Sequence, residues 1–195
     1  MKIEYEATFP DVDKEDARQR LKKIHATLVR PEFLQKRIVL VLPRGHEVQG
    51  GFVRVRDEGD KITVTFKIVG SEHITDQRET LVIVNDFDAS VELLKDIGCI
   101  PEAYEESMRE LWIIDGVEVT IDDWPFLGSL VEVEGKSEDE VKLISAKLGF
   151  EWKRARFCTA GTLYKEKYGL GPIDLAKKTG VMTKLAFNAK NPFLE

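Results

Sequence analysis

The feature that most constrains this chain is a two-residue alternation repeated along most of its length. In IEYEATF (3–9), Ile3, Tyr5, Ala7 and Phe9 fall on one side of an extended backbone, with Glu4 and Glu6 on the other. The period returns in 51–57, where Val53 and Val55 oppose Arg54 and Arg56. In 61–69, Ile62, Val64, Phe66 and Ile68 oppose Lys61, Thr63, Thr65 and Lys67. In 117–122, Val117, Val119 and Ile121 oppose Glu118, Thr120 and Asp122, and in 130–135 Val131 and Val133 oppose Glu132 and Glu134. Runs rich in β-branched and aromatic residues at 36–42, 78–84 and 109–114 bring the predicted strands to eight. Asp57-Glu58-Gly59-Asp60 and Asp115-Gly116 are tight-turn sequences, so the strands they join are expected to be antiparallel neighbours.

Three helical segments interrupt the strands. The first is 13–28, with Asp13 as N-cap and Ala17, Leu21, Ile24 and Leu28 on one face. The second is 88–97, capped by Asp88 and stopped by Gly98. The third is 137–148, where Ser137 and Glu140 have capping-box spacing and Gly149 ends the run. Residues 160–169 suit one or two further helical turns, and 179–195 read as irregular. No linker or low-complexity stretch divides the chain. The expectation is one domain over 1–195, with a core to about residue 150 and a C-terminal extension over 151–195. The fold class that follows is α+β: an eight-stranded antiparallel closed β-barrel, a tunnel, with helices packed outside.

A net charge of −6 argues against nucleic acid or an anionic membrane surface as a partner. No apolar stretch is long enough for a transmembrane helix, and the chain opens on a strand where a secretory leader would carry an apolar helix. Cys99 and Cys158 lack metal-ligand spacing and read as buried thiols of a cytoplasmic protein. His25, His46 and His73 are scattered and read as surface residues. Trp112, Trp124 and Trp152 read as core aromatics. Gly50-Gly51 and Gly59 lie outside any GxxxxGK[ST] context, which excludes a P-loop.

If helices cover the apolar face of a closed sheet, the charged face must line its lumen. Charges there require a ligand, a metal or water, because unpaired buried charge is costly. Carboxylates on adjacent strands suit a hard cation such as Mg²⁺ or Mn²⁺, and guanidinium groups suit phosphate oxygens. Together they describe a site for a metal-chelated polyphosphate.

The ordered set of Glu4-x-Glu6, GGFVRVRDEGDKITVTFK (50–67), Arg109-x-x-Trp112 and VEVTIDDWPFLGSLVEVEG (117–135), with the helix after it, resembles the CYTH superfamily. That superfamily includes class IV adenylyl cyclases and thiamine triphosphatases and is also called the triphosphate tunnel metalloenzymes. The resemblance runs from residue 3 to about 150. It implies a tunnel holding a triphosphate and Mg²⁺ or Mn²⁺, with Glu4, Glu6, Glu132 and Glu134 as metal ligands and Glu4, Glu6 and Asp122 as catalytic carboxylates. It places phosphates on Arg54, Arg56, Lys67 and Arg109, with Arg37 and Arg78 as further members of the basic set.

The implied substrates are small triphosphates: tripolyphosphate, thiamine triphosphate or ATP, either hydrolysed or, for ATP, cyclised. A homodimer is compatible with the sequence. Two positions depart from the resembled pattern. Thr8 stands where the first strand usually carries lysine, and no lysine precedes Arg109 in AYEESM (103–108). The alternative reading is therefore a triphosphate- or nucleotide-binding protein with weakened catalysis.

Overall fold

The protein is described here by a computed structural model covering residues 1–70 and 73–194. Among the described residues ten strands form: β1 (Lys2–Ile3), β2 (Tyr5–Pro10), β3 (Thr27–Val41), β4 (Gly51–Asp57), β5 (Ile62–Val69), β6 (Gln77–Val84), β7 (Ile100–Ile114), β8 (Val117–Trp124), β9 (Gly128–Gly135) and β10 (Thr183–Leu185). Its helices are α1 (Lys14–Lys23), α2 (Phe87–Asp96), α3 (Glu138–Lys147), α4 (Ala160–Tyr168) and α5 (Pro172–Thr179). The sheet runs β1-β6-β5-β4-β3-β7-β8-β9-β2 and is antiparallel throughout that path, while β10 pairs with β7 in parallel.

Both ends of the path belong to one N-terminal segment. Only Glu4 separates β1 from β2, and its N–H donates to the Gln77 carbonyl at 3.0 Å. β1 pairs with β6 and β2 with β9, so the first segment bridges the sheet's two edges and closes it. The eight expected strands are present. The count reaches ten because the first is split at Glu4 and β10 adds a short stave from the C-terminal segment.

Closure turns the alternation into an inside and an outside. On the outer surface, Ala17 and Leu21 of α1 and Val141 and Ile144 of α3 bury against Ala7, Phe9, Val119, Val131 and Val133. Val91 and Leu94 of α2 cover Ile38, Leu40, Val53 and Val55. This two-layer burial holds the barrel closed and leaves the charged positions inside.

Several expected boundaries move. The first helix ends at Lys23, because His25 takes a left-handed φ of 60° and the Ala26 N–H turns back to the Leu21 carbonyl. Residues 27 and 28 then pair with Ile113 and Trp112, so Leu28 belongs to a strand despite its helical spacing. The second helix is capped by Asp86, whose side chain accepts from the Ala89 N–H. The strands expected at 36–42 and 109–114 are both 15 residues long, running back to Thr27 and Ile100. The stretch after Gly169 holds α5, started by Pro172, and β10. The Asp115-Gly116 hairpin has positive φ at both residues, 52° and 80°, as a two-residue turn matched to strand twist requires. The three histidines are exposed and both cysteines are buried as free thiols. Among the described residues no helix is long and apolar enough to cross a membrane.

Candidate active site

The barrel encloses a cavity of about 800 Å³, lined by alternate residues of its strands. On one wall, Glu4 and Glu6 follow each other on the inward face of the first segment, and Glu134 faces Glu6 across the ladder to β9. One carboxylate oxygen from each of the three lies within 4.8 Å of the others. Lys67 of β5 reaches this group, its Nζ 2.5 Å from Glu4 and 3.7 Å from Glu6.

The electrostatics express that crowding. Burial raises the pKa of Glu6, and burial with Glu6 as neighbour pushes Glu134 up to about 8. Burial opposes the charge on Lys67, but Glu6 and Glu4 outweigh it and hold the ammonium above its usual pKa. Three clustered oxygen donors with one ammonium are chemically suited to a small hard dication, which would relieve the repulsion among them.

The second group centres on Arg109 of β7. It binds Asp122 of β8 in a two-pronged pair, Nε to Oδ1 at 2.6 Å and an Nη to Oδ2 at 2.5 Å, and it also reaches Glu132 of β9 at 2.7 Å. Asp122 is fully buried behind the guanidinium, and Thr120 donates to it at 3.2 Å. Burial, with Glu6 nearby, pushes Glu132 up to about 8. The carboxylate group formed by Glu4, Glu6 and Glu134 does not include Glu132, which Arg109 holds.

The third group is basic. Arg54 and Arg56 follow each other along β4, and Arg37 of β3 faces Arg56 across the ladder. Arg56 pairs with Glu58 at 2.7 Å. Arg37 donates to Gln35 at 2.8 Å and to the Ser107 hydroxyl, and its guanidinium carbon lies 4.4 Å from the centre of the Trp124 ring. The Nε–H groups of all three arginines are buried without an acceptor among the described residues. Burial and the Arg54 charge pull Arg37 down to about 10 and Arg56 to about 9. Unanswered donors on mutually repelling cations describe a place prepared for an anion.

Ten of the eleven residues singled out from the sequence face this cavity or pair with a residue that does. Arg78 does not. It is exposed on the outer side of β6, and its neighbour Glu79 lines the cavity in its place. Strand parity decides this, because Gln77 is buried and each step of one residue changes face. Trp124 packs in the core as expected but also lines the cavity. Lys165 pairs with Asp174 at 3.3 Å, and Lys167 donates to the Phe126 and Leu127 carbonyls, so neither points into the lumen.

Sequence reading missed Glu58 and Glu105. Glu58 sits in a turn where period-two reasoning stops. Glu105 lies in β7 ahead of the run expected at 109–114, although the series 105, 107, 109 and 111 carries the alternation straight into Arg109. The inward position of β7 before Arg109 is Ser107, and there the cation comes from β3 through Arg37. Thr8 is buried at 2% exposure and pairs through its backbone with Arg156 in both directions at 2.9 Å.

The CYTH domain family model matches residues 2–154. The chain belongs to the CYTH domain family. A candidate adenylate cyclase of Methanocaldococcus jannaschii is 25% identical over 138 residues, covering 70% of this chain and 79% of that one. Among solved structures, a candidate adenylate cyclase from Vibrio parahaemolyticus superposes with a TM-score of 0.72 at 12% identity, covering 84% of this chain and 98% of that one. A candidate adenylyl cyclase from Hippeastrum, described as having a dominant triphosphatase activity, superposes at 0.53 with 13% identity, covering 87% and 97%. At these identities the structural likeness speaks to the fold.

Proposed function

We propose that this CYTH protein is a divalent-metal-dependent enzyme acting on a triphosphate-containing small molecule inside the barrel. The observation that carries the reading is the pairing of two opposite sites in one enclosed lumen. Arg37, Arg54 and Arg56 present guanidinium groups whose buried Nε–H donors have no acceptor among the described residues, and Glu4, Glu6 and Glu134 converge within 4.8 Å. A chain of phosphates bound to the first set and chelated to a cation at the second satisfies both.

In this reading Glu4, Glu6 and Glu134 hold Mg²⁺ or Mn²⁺, which when bound supplies charge neutralisation at the phosphate oxygens. Arg54, Arg56 and Arg37 grip the phosphates that do not react. Arg109 presents its remaining donors to the phosphate chain, with Asp122 and Glu132 fixing its fork. Lys67, already charged beside Glu4 and Glu6, sits between metal and phosphate.

Two reactions use this arrangement. In hydrolysis, a carboxylate takes a proton from water, the oxygen attacks the terminal phosphorus, and the bond to the bridging oxygen breaks. In cyclisation, the 3′-hydroxyl of ATP attacks the α-phosphorus and pyrophosphate leaves. The triphosphatase activity described for the Hippeastrum relative supports the first reaction. The cyclase names of the Methanocaldococcus and Vibrio relatives support the second.

Incubation with tripolyphosphate, thiamine triphosphate and ATP, each with Mg²⁺ and with Mn²⁺, separates the two by product: orthophosphate against cyclic AMP and pyrophosphate. No turnover of any of them, in either metal, would defeat the enzyme reading.

A second reading, binding with weakened catalysis, is favoured by one observation. The inward position next along the strand from Glu6 is the uncharged Thr8, buried in the wall. It predicts thermal stabilisation by triphosphate and metal without turnover, and a gain of activity in Thr8→Lys. A Thr8→Lys variant unchanged in both binding and rate would count against it.

A further inference from the structure

The contact that closes the barrel covers only the first part of β6. β1 meets it at Arg78 and Glu79, and the Glu4 N–H donates to the Gln77 carbonyl. From Leu81 to Val84, β6 pairs with β5 on one side and, among the described residues, with no strand on the other. In an antiparallel strand the N–H and C=O of one residue face one edge, and those of the next face the opposite edge. Gln77 turns its carbonyl toward the first segment, so Leu81 and Ile83 direct their main-chain groups to the open edge, with Asn85 next in the series.

The side chains here are those that a lone edge strand avoids. Residues 80–85, TLVIVN, hold no charge and no proline, and the ladder from Ile62–Val84 to Val69–Gln77 carries no register shift. Edge strands that stay single are ordinarily guarded by a lysine, a proline, a bulge or a covering segment. Leu81 is instead 41% exposed, Val82 53% and Ile83 72%. The apolar surface continues onto the outer face, where Val82 lies opposite Val64, and α2 leaves Val64 and Phe66 only half-buried. An uncharged β-branched edge of this kind aggregates when left open, so a defined partner strand is what keeps it soluble.

The strand that fits is β6 of a second copy. Turned antiparallel about a two-fold axis at Ile83, it sets Leu81 opposite Asn85, Val82 opposite Val84 and Ile83 opposite itself. Edge-facing residues then meet edge-facing residues, and each face of one strand continues as the same face of the other. No like charges are opposed along the paired stretch. The added strand runs end to end with β1, which brings Lys2 toward the acidic start of α2 in the other copy, Asp86 and Asp88. A pairing shifted toward the start of β6 is blocked, because Lys2 already stands opposite Glu79. The stretch has no charge with which to select a foreign peptide, whereas a second copy brings a matching apolar row.

We propose that residues 81–85 are the joint of a homodimer, in which the β6 strands of two copies pair antiparallel about Ile83 and join two barrels through one continuous sheet. Main-chain bonds fix its geometry, and burial of Val82, Ile83 and the outer face of β5 supplies its apolar area. Leu81 also lines the cavity, so the joint forms part of the rim of each tunnel. The dimer is independent of the triphosphate reading and holds whichever reaction the lumen performs.

Light scattering on the eluting protein tests it. The parent is expected at twice its 22.2 kDa and to dissociate on dilution. Ile83→Lys, which sets two like charges on the axis, is expected to raise the dimer dissociation constant at least about tenfold. Ile83→Pro removes an edge-facing N–H without touching the bonds to β5, and should give monomer with an unchanged circular dichroism spectrum. Ile83→Cys under mild oxidation is expected to form a disulfide-linked dimer, because its two copies face each other at about 5.5 Å between Cα atoms. Val181→Cys, 68% exposed on the C-terminal segment, serves as the collision control and should stay unlinked.

A parent that remains monomeric at every concentration would overturn the proposal. So would a dimer that survives Ile83→Lys and Ile83→Pro unchanged, or equal crosslinking of Ile83→Cys and Val181→Cys.

Discussion

Arg54 is a half-buried tunnel guanidinium that forms no ion pair among the described residues, with Arg56 two residues along β4 and the Arg37 charge beside Arg56. Its cost to the free protein is a repulsion that a polyphosphate would remove. Arg54→Ala is expected to weaken tripolyphosphate binding about 10- to 100-fold, the loss of one charge-assisted contact of about 1.5–3 kcal/mol, while leaving Tm equal or raised. Calorimetric titration of variant and parent checks both.

Glu105 makes a contrasting case that pH exposes. Burial holds its carboxyl above the ordinary range, so the folded state keeps the proton more tightly than the unfolded state. Its favourable share of stability is complete below the unfolded pKa and is lost as pH rises through the folded one. Glu105→Gln is therefore expected to melt near the parent at about pH 4. It should melt above the parent at pH 8, where the parent must carry an unpaired buried charge. Melting curves across that range that stay parallel would refute the assignment.

At the level of elements, β3 and β7 decide the width and length of the tunnel. Each is 15 residues long, and their shared ladder carries register shifts between Leu28 and Arg30, between Arg30 and Phe33, and between Val39 and Leu40. These irregularities explain why only the inner third or half of each strand could be read from alternation. A bulge breaks the two-residue period, and Pro31 and Pro101 look like strand breakers until a bulge or an end position accommodates them. Among the strands whose pairings carry no register shift, β4 and β5 match their expected limits to within a residue.

The mouth beside them depends on a close backbone approach. Gly50 has φ of +70°, and a Cβ there would meet the Val69 carbonyl oxygen at 2.3 Å. Gly50→Ala is expected to cost about 1–3 kcal/mol of stability through strain at this left-handed position, together with displacement of the end of β5. Urea denaturation of the variant measures it, and an unchanged midpoint would mean that the loop before β4 relaxes freely.

For the molecule as a whole, the barrel and its C-terminal segment share structure. Leu163, Tyr164 and Leu185 pack with Trp124 and Leu130 of the barrel, and the Tyr164 hydroxyl donates to the Pro125 carbonyl at 2.5 Å. Removing residues 159–195 would expose that cluster and open the α4–α5 end of the lumen. The shortened chain is expected to melt about 10 °C or more below the parent in a thermal denaturation scan. Equal stability of the two chains would show the segment to be an accessory to the barrel.

The sequence by itself determined which faces of the strands are charged, how many strands there are to close, and the identity of most charged groups in the lumen. All of these depend on a period of two residues or on a local turn, and both are written in neighbouring positions. The resemblance carried by those residues added the triphosphate and metal chemistry. Tertiary structure alone decided that Glu132 stands with Arg109 and Asp122 and apart from Glu4, Glu6 and Glu134, and that Arg37 supplies the cation beside Ser107. It also brought Glu105 and Trp124 to the cavity wall beside Arg37. The physical reason is that alternation fixes the side of a strand but not its height along the tunnel. Height is set by register, by bulges, and by which strands the closure makes neighbours, and those are long-range pairings that no local stretch of the chain records.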